Sequence, residues 1–350
     1  MNCIDRAFSA LSAHKNLLSS LEKGRSAAVT GLSPVHRAAF ISAAVGKTGR
    51  RAFVICPDEA EATKMVADLQ TLGKDAVLLV SREYSLSAAA SSKEWEHKRL
   101  YTLSAIADGA FSVCVGSIEA FLQITTDRDT LKQNTFKISV GDTLKLSVLQ
   151  ENLILAGYVR VDEVEGAGQF SLRGGIVDLF PTGLSSPVRI EFWGDEVDTL
   201  CFFDPDTQRR TDNIENVLVS PARESLFDTG ELCEKLEKLL AGRRKLTDAQ
   251  KARIEQDIDA IKSERFADFD RYLPLMQETA VSALDYIDDM LFLCDMGGIK
   301  ERIRALLARQ AEDVALLLEN GILNPLCSNF YKSKGEFLSA ITEKNALYLD

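Results

Sequence analysis

The chain has 350 residues, 46% of them hydrophobic, which predicts two or three domains with substantial cores. A formal net charge of −11 excludes a protein that coats nucleic acid over its whole surface and leaves room for no more than a local basic patch. Seven cysteines without a C-x-x-C, and three histidines (His14, His36, His97) away from them, argue against a disulfide framework or a metal centre and for a reducing cytoplasm; no apolar run reaches membrane length and no signal peptide is seen.

After an N-terminal helical pattern, "AVTGLSPVHRAAF" (residues 28–40) begins as a phosphate-binding loop does. Small and apolar residues lead into Thr30-Gly31, and helical spacing resumes from Ala38. A P-loop requires G-x-x-x-x-G-K-[ST] between strand and helix, because glycines let backbone N–H groups wrap phosphate and the lysine offsets its charge. With Gly31 marking the register, Ala28 and Ser33 stand where the two glycines belong, Pro34 replaces the lysine and Val35 the magnesium-binding hydroxyl. The frame of a nucleotide loop is kept and its chemistry is absent. "VGKTG" (residues 45–49) offers no replacement, since Ile41 occupies its leading-glycine position and the segment ends a helix. Lys47 and Arg50 there suit a helix C-terminus, and His36 reads as a solvent-facing first-turn residue.

Residues 1–130 alternate strand and helix signals. Ala52–Cys56 form an unbroken apolar run, the mark of a buried parallel strand. "EAEATKMVADLQTLG" follows with helical period and Gly73 as its stop signal. "DAVLLVS" and "FSVCVGS" repeat the strand pattern, and "IEAFLQI" another helix. Strands separated by helices predict an α/β layer with a parallel sheet. From about residue 131 the texture changes to short strands joined by Gly, Asp and Pro turns, an α+β module with an antiparallel sheet over 131–224. Within it Pro187–Trp193 and Glu196–Phe203 form a hairpin around Gly194-Asp195. From 225 to 350 the chain is a helix-rich continuation. Leu232, Leu236, Leu239 and Leu240 make one stripe, and Glu231–Lys235 and Glu234–Lys238 pair beside it. "MLFLCDM" (residues 290–296) is one more buried strand. It ends in Asp295-Met296 where an NTPase would carry Asp-Glu for magnesium and water, a second lost catalytic element. Asp295 therefore reads as a strand-end residue that caps the next turn. "NALYLD" closes the chain in a strand-like run, which suggests a piece of something longer.

The most specific text is "EVEGAGQFSLRGGIVDLFPTGLSSPVRIEFWGDEVDTLCFFDPDTQR" (residues 163–209). It resembles the module shared by UvrB of bacterial excision repair and the Mfd family of transcription-repair coupling factors, which in both recruits the ATPase UvrA. "REYSLSAAASSKEWEHKRL" (residues 82–100) and "FDRYLPLMQETAVSALDYI" (residues 269–287) resemble Mfd rather than UvrB, whose tyrosine-rich DNA-locking hairpin has no counterpart here. The resemblance to the N-terminal region of Mfd implies a degenerate P-loop NTPase-like core kept as a scaffold, with no cofactor of its own. It implies that ATP, magnesium, RNA polymerase and DNA are handled by motor and polymerase-binding domains elsewhere in the full-length protein. It also implies that the C-terminal domain of the same protein covers the UvrA surface at rest. A monomer is expected. The alternative is a UvrB-like damage-loading ATPase, which predicts an intact P-loop, the tyrosine-rich hairpin and a basic groove; a third reading is an unrelated nucleotide enzyme with a divergent loop.

On the hairpin, alternation puts Val188, Ile190 and Phe192 on one face and Arg189, Glu191 and Trp193 on the other. Trp and Arg are enriched at binding hot spots. The resemblance places UvrA contacts at Arg173, Arg189 and Trp193, with tryptophan where many relatives have phenylalanine. Neither Arg189 nor Trp193 lies on the core face, so truncating either is expected to cost partner binding and spare the fold. Residues 131–224 thus carry the site.

Overall fold

The computed structural model describes residues 3–82, 93–226, 228–242, 246–263, 269–277 and 279–350. The segment 83–92, where the resemblance to Mfd replaces the UvrB hairpin, lies outside the described residues, as does Glu278 in the second Mfd-like stretch. The chain divides into two units: residues 1–84, 108–125 and 273–350 form one, and 85–107 with 126–272 form the other.

The first unit opens with strand β1 (Ala27–Val29), followed by β2 (Ala52–Cys56), β3 (Ala76–Leu79) and β4 (Val113–Ser117). Every residue of β2 and β4 is buried, which is why their sequences run apolar instead of alternating: both faces of the sheet are covered. The helix Pro34–Thr48 follows β1 and supplies Phe40, Ile41 and Ala44 to the core. Its end confirms that Val45–Gly49 is a terminus. Gly49 adopts φ 67 and donates its N–H to the Val45 carbonyl, while the Thr48 hydroxyl is spent on the Ala44 carbonyl. The helix Glu59–Thr71 starts on an Asp58 cap to the Glu61 N–H and stops at Gly73, with φ 75.

The second unit contains β5 (Phe136–Ser139), β6 (Val159–Arg160), β7 (Gln169–Arg173), β8 (Ile176–Leu179), β9 (Val188–Trp193), β10 (Glu196–Phe203), β11 (Arg210–Asn213) and β12 (Asn216–Val219). β5 and β12 pair antiparallel, and the others form a sheet in the order β11-β10-β9-β8-β7-β6, antiparallel except for β6 with β7. One face carries Phe170, Val177, Val188 and Ile190 onto Leu149 and Leu153 of the helix Leu146–Leu155. The predicted hairpin is present with Gly194 at φ 65.

A further helix, Glu94–Asp108, packs within this unit. Arg99 Nε donates to both Glu224 carboxylate oxygens at 3.0 and 3.2 Å, with both side chains 0% exposed. Glu96 accepts the Glu224 N–H at 2.8 Å, and the Tyr101 ring covers Gly183 so closely that a Cβ there would stand 2.8 Å from Cδ2. Past Glu224 come the helices Thr229–Ala241, with the expected leucine stripe and both ion pairs, and Asp248–Lys262. The latter's Asp257 receives Arg271 and the Tyr272 hydroxyl in a buried cluster.

The chain then returns to the first unit as β13 (Met290–Cys294) and β14 (Leu347–Leu349), which complete an all-parallel sheet in the order β1-β14-β13-β2-β4-β3. This corrects the sequential division into 1–130, 131–224 and 225–350. The last segment is shared, with residues 225–272 packing in the second unit and 273–350 in the first. The reason is register: Leu291 pairs with Phe53 on one side and Phe292 with Leu347 on the other, so two late strands fill the middle of an early sheet.

Buried histidines make stability depend on pH. His14 rests edge-on against Phe40, and His97 lies under Gly168. Burial lowers the pKa of both, Lys47 and Lys93 lower it further, and backbone bonds to Phe40 and Ala222, with Glu96 beside His97, oppose this less strongly. Below the usual histidine value of about 6.5 the unfolded chain takes up protons that the folded chain refuses. Stability is therefore full above about pH 7 and falls as pH drops. The melting temperature should be lower at about pH 5.5 than at about pH 7.5, and His14→Gln/His97→Gln should flatten that slope. An equal slope in the double variant would assign the effect to other groups.

Candidate partner-binding face

The outward face of the β7–β10 sheet is built from two cross-strand rows. The register places Ser171, Asp178, Arg189 and Cys201 in one row and Arg173, Ile176, Glu191 and Thr199 in the next. Trp193 follows at the hairpin end, paired with Glu196. The Gly174-Gly175 turn brings Arg173 to the same end: Gly174 takes φ 60, and the Gly175 carbonyl accepts the Phe192 N–H at 2.8 Å.

Trp193 is 82% exposed, so the ring meets neither core nor neighbouring strand. Arg173 is half exposed and stands 3.8 Å from the Asp178 carboxylate. Arg189 behaves differently. Its Nε and Nη2 donate to Asp178 Oδ1 and Oδ2 at 2.6 and 2.9 Å, and its side chain is only 16% exposed. The Gln208 carbonyl and Oε1 accept two more N–H bonds at 3.3 Å, and the guanidinium lies 4.7 Å over the Phe203 ring. The Asp178 fork raises the Arg189 pKa, so the charge is permanent. Three expected contact residues thus share one face, but two are open and one is braced. Arg189 is thus not the free surface residue that the sequence suggested, and its truncation is expected to cost stability. Its face is polar, yet its partner Asp178 is buried at 3% exposure and depends on it.

Glu191 pairs with Arg210 at 2.5 Å and accepts the Thr199 hydroxyl at 3.1 Å, so it serves the sheet.

The nucleotide-like loop has the anticipated strand–turn–helix shape. β1 contains Ala28, Gly31 turns the chain at φ 83, and the helix starts at Pro34 with Ser33 as its cap. His36 and Val35 are exposed, and Ser33 Oγ bonds His36 Nδ1 at 3.1 Å. The Leu32 N–H is given to the Asp350 carbonyl, and Pro34 has no N–H, so neither of these backbone positions offers a donor to a phosphate. Asp295, at φ 58, caps the helix Met296–Glu319 through the Gly298 N–H at 3.0 Å, and the Met296 N–H goes to the Asp350 carboxylate. Among the described residues no group of three His, Cys, Asp or Glu is placed to hold a metal, and no helix is long and apolar enough to cross a membrane.

Residues 136–224, which carry the whole outward face, match the UvrB interaction domain. The chain is 31% identical over 323 residues to the transcription-repair-coupling factor of Bacillus subtilis (strain 168), an alignment covering 88% of the chain and 27% of that relative. The chain is homologous to the N-terminal, UvrB-like region of the transcription-repair-coupling factors. The coupling factor of Staphylococcus epidermidis (RP62A) is 26% identical over 315 residues, with 84% of the chain and 26% of the relative covered. That of Staphylococcus aureus (MRSA252) is 26% identical over 311 residues with the same coverage. The chain spans about a quarter of the length of these coupling factors. On the structure, the UvrB interaction domain of this coupling-factor homologue runs from the first residue of β5 to Glu224, the buried partner of Arg99. Asp178 and Gln208 were missed as site residues. Strand parity could have found Asp178, which shares a side with Ile176 and points opposite to Val177 and Leu179.

Proposed function

We propose that this chain is the UvrA-docking module of a transcription-repair coupling factor, acting in transcription-coupled repair and recruiting UvrA without nucleotide chemistry of its own. The observation that carries this reading is Trp193, a tryptophan 82% open to solvent on the UvrB interaction domain, on the same face of the sheet as the half-exposed Arg173. An exposed aromatic on one face with a half-exposed arginine is the composition of a protein hot spot. In this reading the parallel sheet of the first unit is a degenerate P-loop NTPase-like scaffold. RNA polymerase, DNA and ATP with magnesium are engaged by segments present in the longer relatives, whose C-terminal domain covers the docking face until the motor engages. The module acts as a cytoplasmic monomer.

The decisive experiment is titration of purified UvrA against the immobilised chain, with and without nucleotide. Saturable binding that Trp193→Ala removes supports the reading. A parent chain that binds no UvrA at tens of micromolar, about −6 kcal/mol or weaker, would sink it.

The scaffold reading has its own test. Because Leu32 and Pro34 offer no free N–H and Pro34 stands where the loop lysine belongs, calorimetry with ATP and magnesium should show no saturable heat at millimolar nucleotide. A micromolar dissociation constant would restore the alternative of a UvrB-like ATPase.

A further inference from the structure

Asp178 sits on β8 between the two strands that carry the arginines of the docking face, and its carboxylate touches both. Arg189 comes from β9 and takes both oxygens; Arg173 comes from β7 and approaches Oδ2 at 3.8 Å. Counting donors separates the two arginines. A guanidinium has five N–H groups in a fixed fork. Arg189 directs four of them inward, two to Asp178 and two to Gln208, so its fork is closed to a partner carboxylate. Arg173 has a single long contact and keeps its fork open. The loop behind Arg189 is itself built for the purpose. Asp204 accepts the Asp206 and Thr207 N–H groups and the Thr207 hydroxyl, and this turn holds Gln208 at φ 59, a left-handed value that costs energy in a non-glycine residue.

We infer that Asp178 is a positioning residue of the docking face. Its one carboxylate clamps Arg189 over Phe203 and holds the Arg173 head beside it, so that Arg173 meets the partner with its geometry already set. This rests on the UvrA-docking reading and changes its chemistry. Arg189 acts inside the fold, and the arginine that forks the partner's carboxylate is Arg173. A long side chain that is already placed loses less freedom on binding, and the saving appears as affinity.

The sign of one substitution separates positioning from simple charge. Asp178→Asn removes a negative charge beside two arginines. If the arginines worked only as charges, an anionic partner surface would bind the variant more tightly. Positioning requires the reverse, because an asparagine amide turns a donor toward Nη2 and opens the clamp.

The experiment measures UvrA affinity, melting temperature and the ¹⁵N signal of the Arg189 Nε–H in the full chain. The set is the parent, Asp178→Asn, Arg173→Ala, Trp193→Ala, and Asp178→Asn combined with each of the last two. Asp178→Asn should bind about tenfold more weakly and shift the Nε–H signal. Its loss should be less than multiplicative with Arg173→Ala, which it acts through, and multiplicative with Trp193→Ala, which it does not touch. Binding as tight as the parent or tighter, or multiplicative losses in both combinations, would overturn the inference. Should Asp178→Asn fail to fold, Gln208→Gly serves instead. It relieves the left-handed residue, removes one Arg189 acceptor, and should weaken UvrA roughly threefold at unchanged melting temperature; parent-like affinity there overturns the inference. The two levels fail differently. A parent that does not bind UvrA ends the docking reading together with this inference, whereas loss in Trp193→Ala without loss in Asp178→Asn ends this inference alone.

Discussion

Arg99→Leu is expected to destabilise the second unit by about 3–5 kcal/mol, the cost of breaking a fully buried ion pair from one side. Arg99 lies on the helix Glu94–Asp108 and Glu224 just beyond β12, and neither side chain has any solvent exposure. Without the guanidinium, the fully buried Glu224 carboxylate loses its ion pair with Arg99 while staying out of solvent. Removing both charges should behave differently. Arg99→Met/Glu224→Leu should recover most of the loss, because apolar groups of similar volume replace a buried pair at little net cost. Urea unfolding followed by circular dichroism measures both variants. A single-variant loss below about 1 kcal/mol would show that water reaches the pair, since that is the scale of an exposed ion pair.

The second large effect divides two residues that the sequence places on one face. Trp193→Ala should weaken UvrA binding by about 2 kcal/mol or more, roughly thirtyfold, with an unchanged melting temperature, because the ring touches solvent and contributes no core. Arg189→Ala should lose stability as well, by about 2 kcal/mol. That is less than the fully buried figure, since the Arg189 side chain keeps 16% exposure, but it leaves Asp178 charged and covered. Calorimetric melting and UvrA titration on the same samples decide the matter. If Arg189→Ala melts like the parent and Trp193→Ala binds like it, both assignments are wrong.

That division shows where sequence reading reached its limit. Period-2 alternation located β9 and β10 to within a residue and put Arg189 on the outward side, because side-chain parity is local. What parity does not contain is the register between strands, and register puts Asp178 opposite Arg189. The same distinction holds in the first unit. Apolar runs identified β2, β3, β4 and β13 as strands, and helical period with Gly73 as its stop marked a helix, all from neighbouring residues. The unit to which β13 and β14 belong is decided by pairing across more than 200 residues, as between Leu291 and Phe53, which no local period encodes. Asp295 illustrates a partial success: its role as a cap was legible from its place at a strand end, while the Asp350 contacts beside it were not.

The strand order has a consequence for synthesis. β1 has a single neighbour in its sheet, β14, and β14 joins it to β13. A ribosome delivering this chain from its N-terminus exposes residues 27–29 long before the strand they pair with, residues 347–349. The segment β2-β4-β3 can assemble in the meantime, and so can the sheets of the second unit, whose strands lie between residues 136 and 219. The sheet that precedes them in the chain closes only when Leu347–Leu349 arrive. Pairings of such high sequence separation are slow to form and leave strand edges open to wrong partners while they wait. The antiparallel sheet of the second unit is thus in a position to mature first, and the parallel sheet to be sealed only by β14.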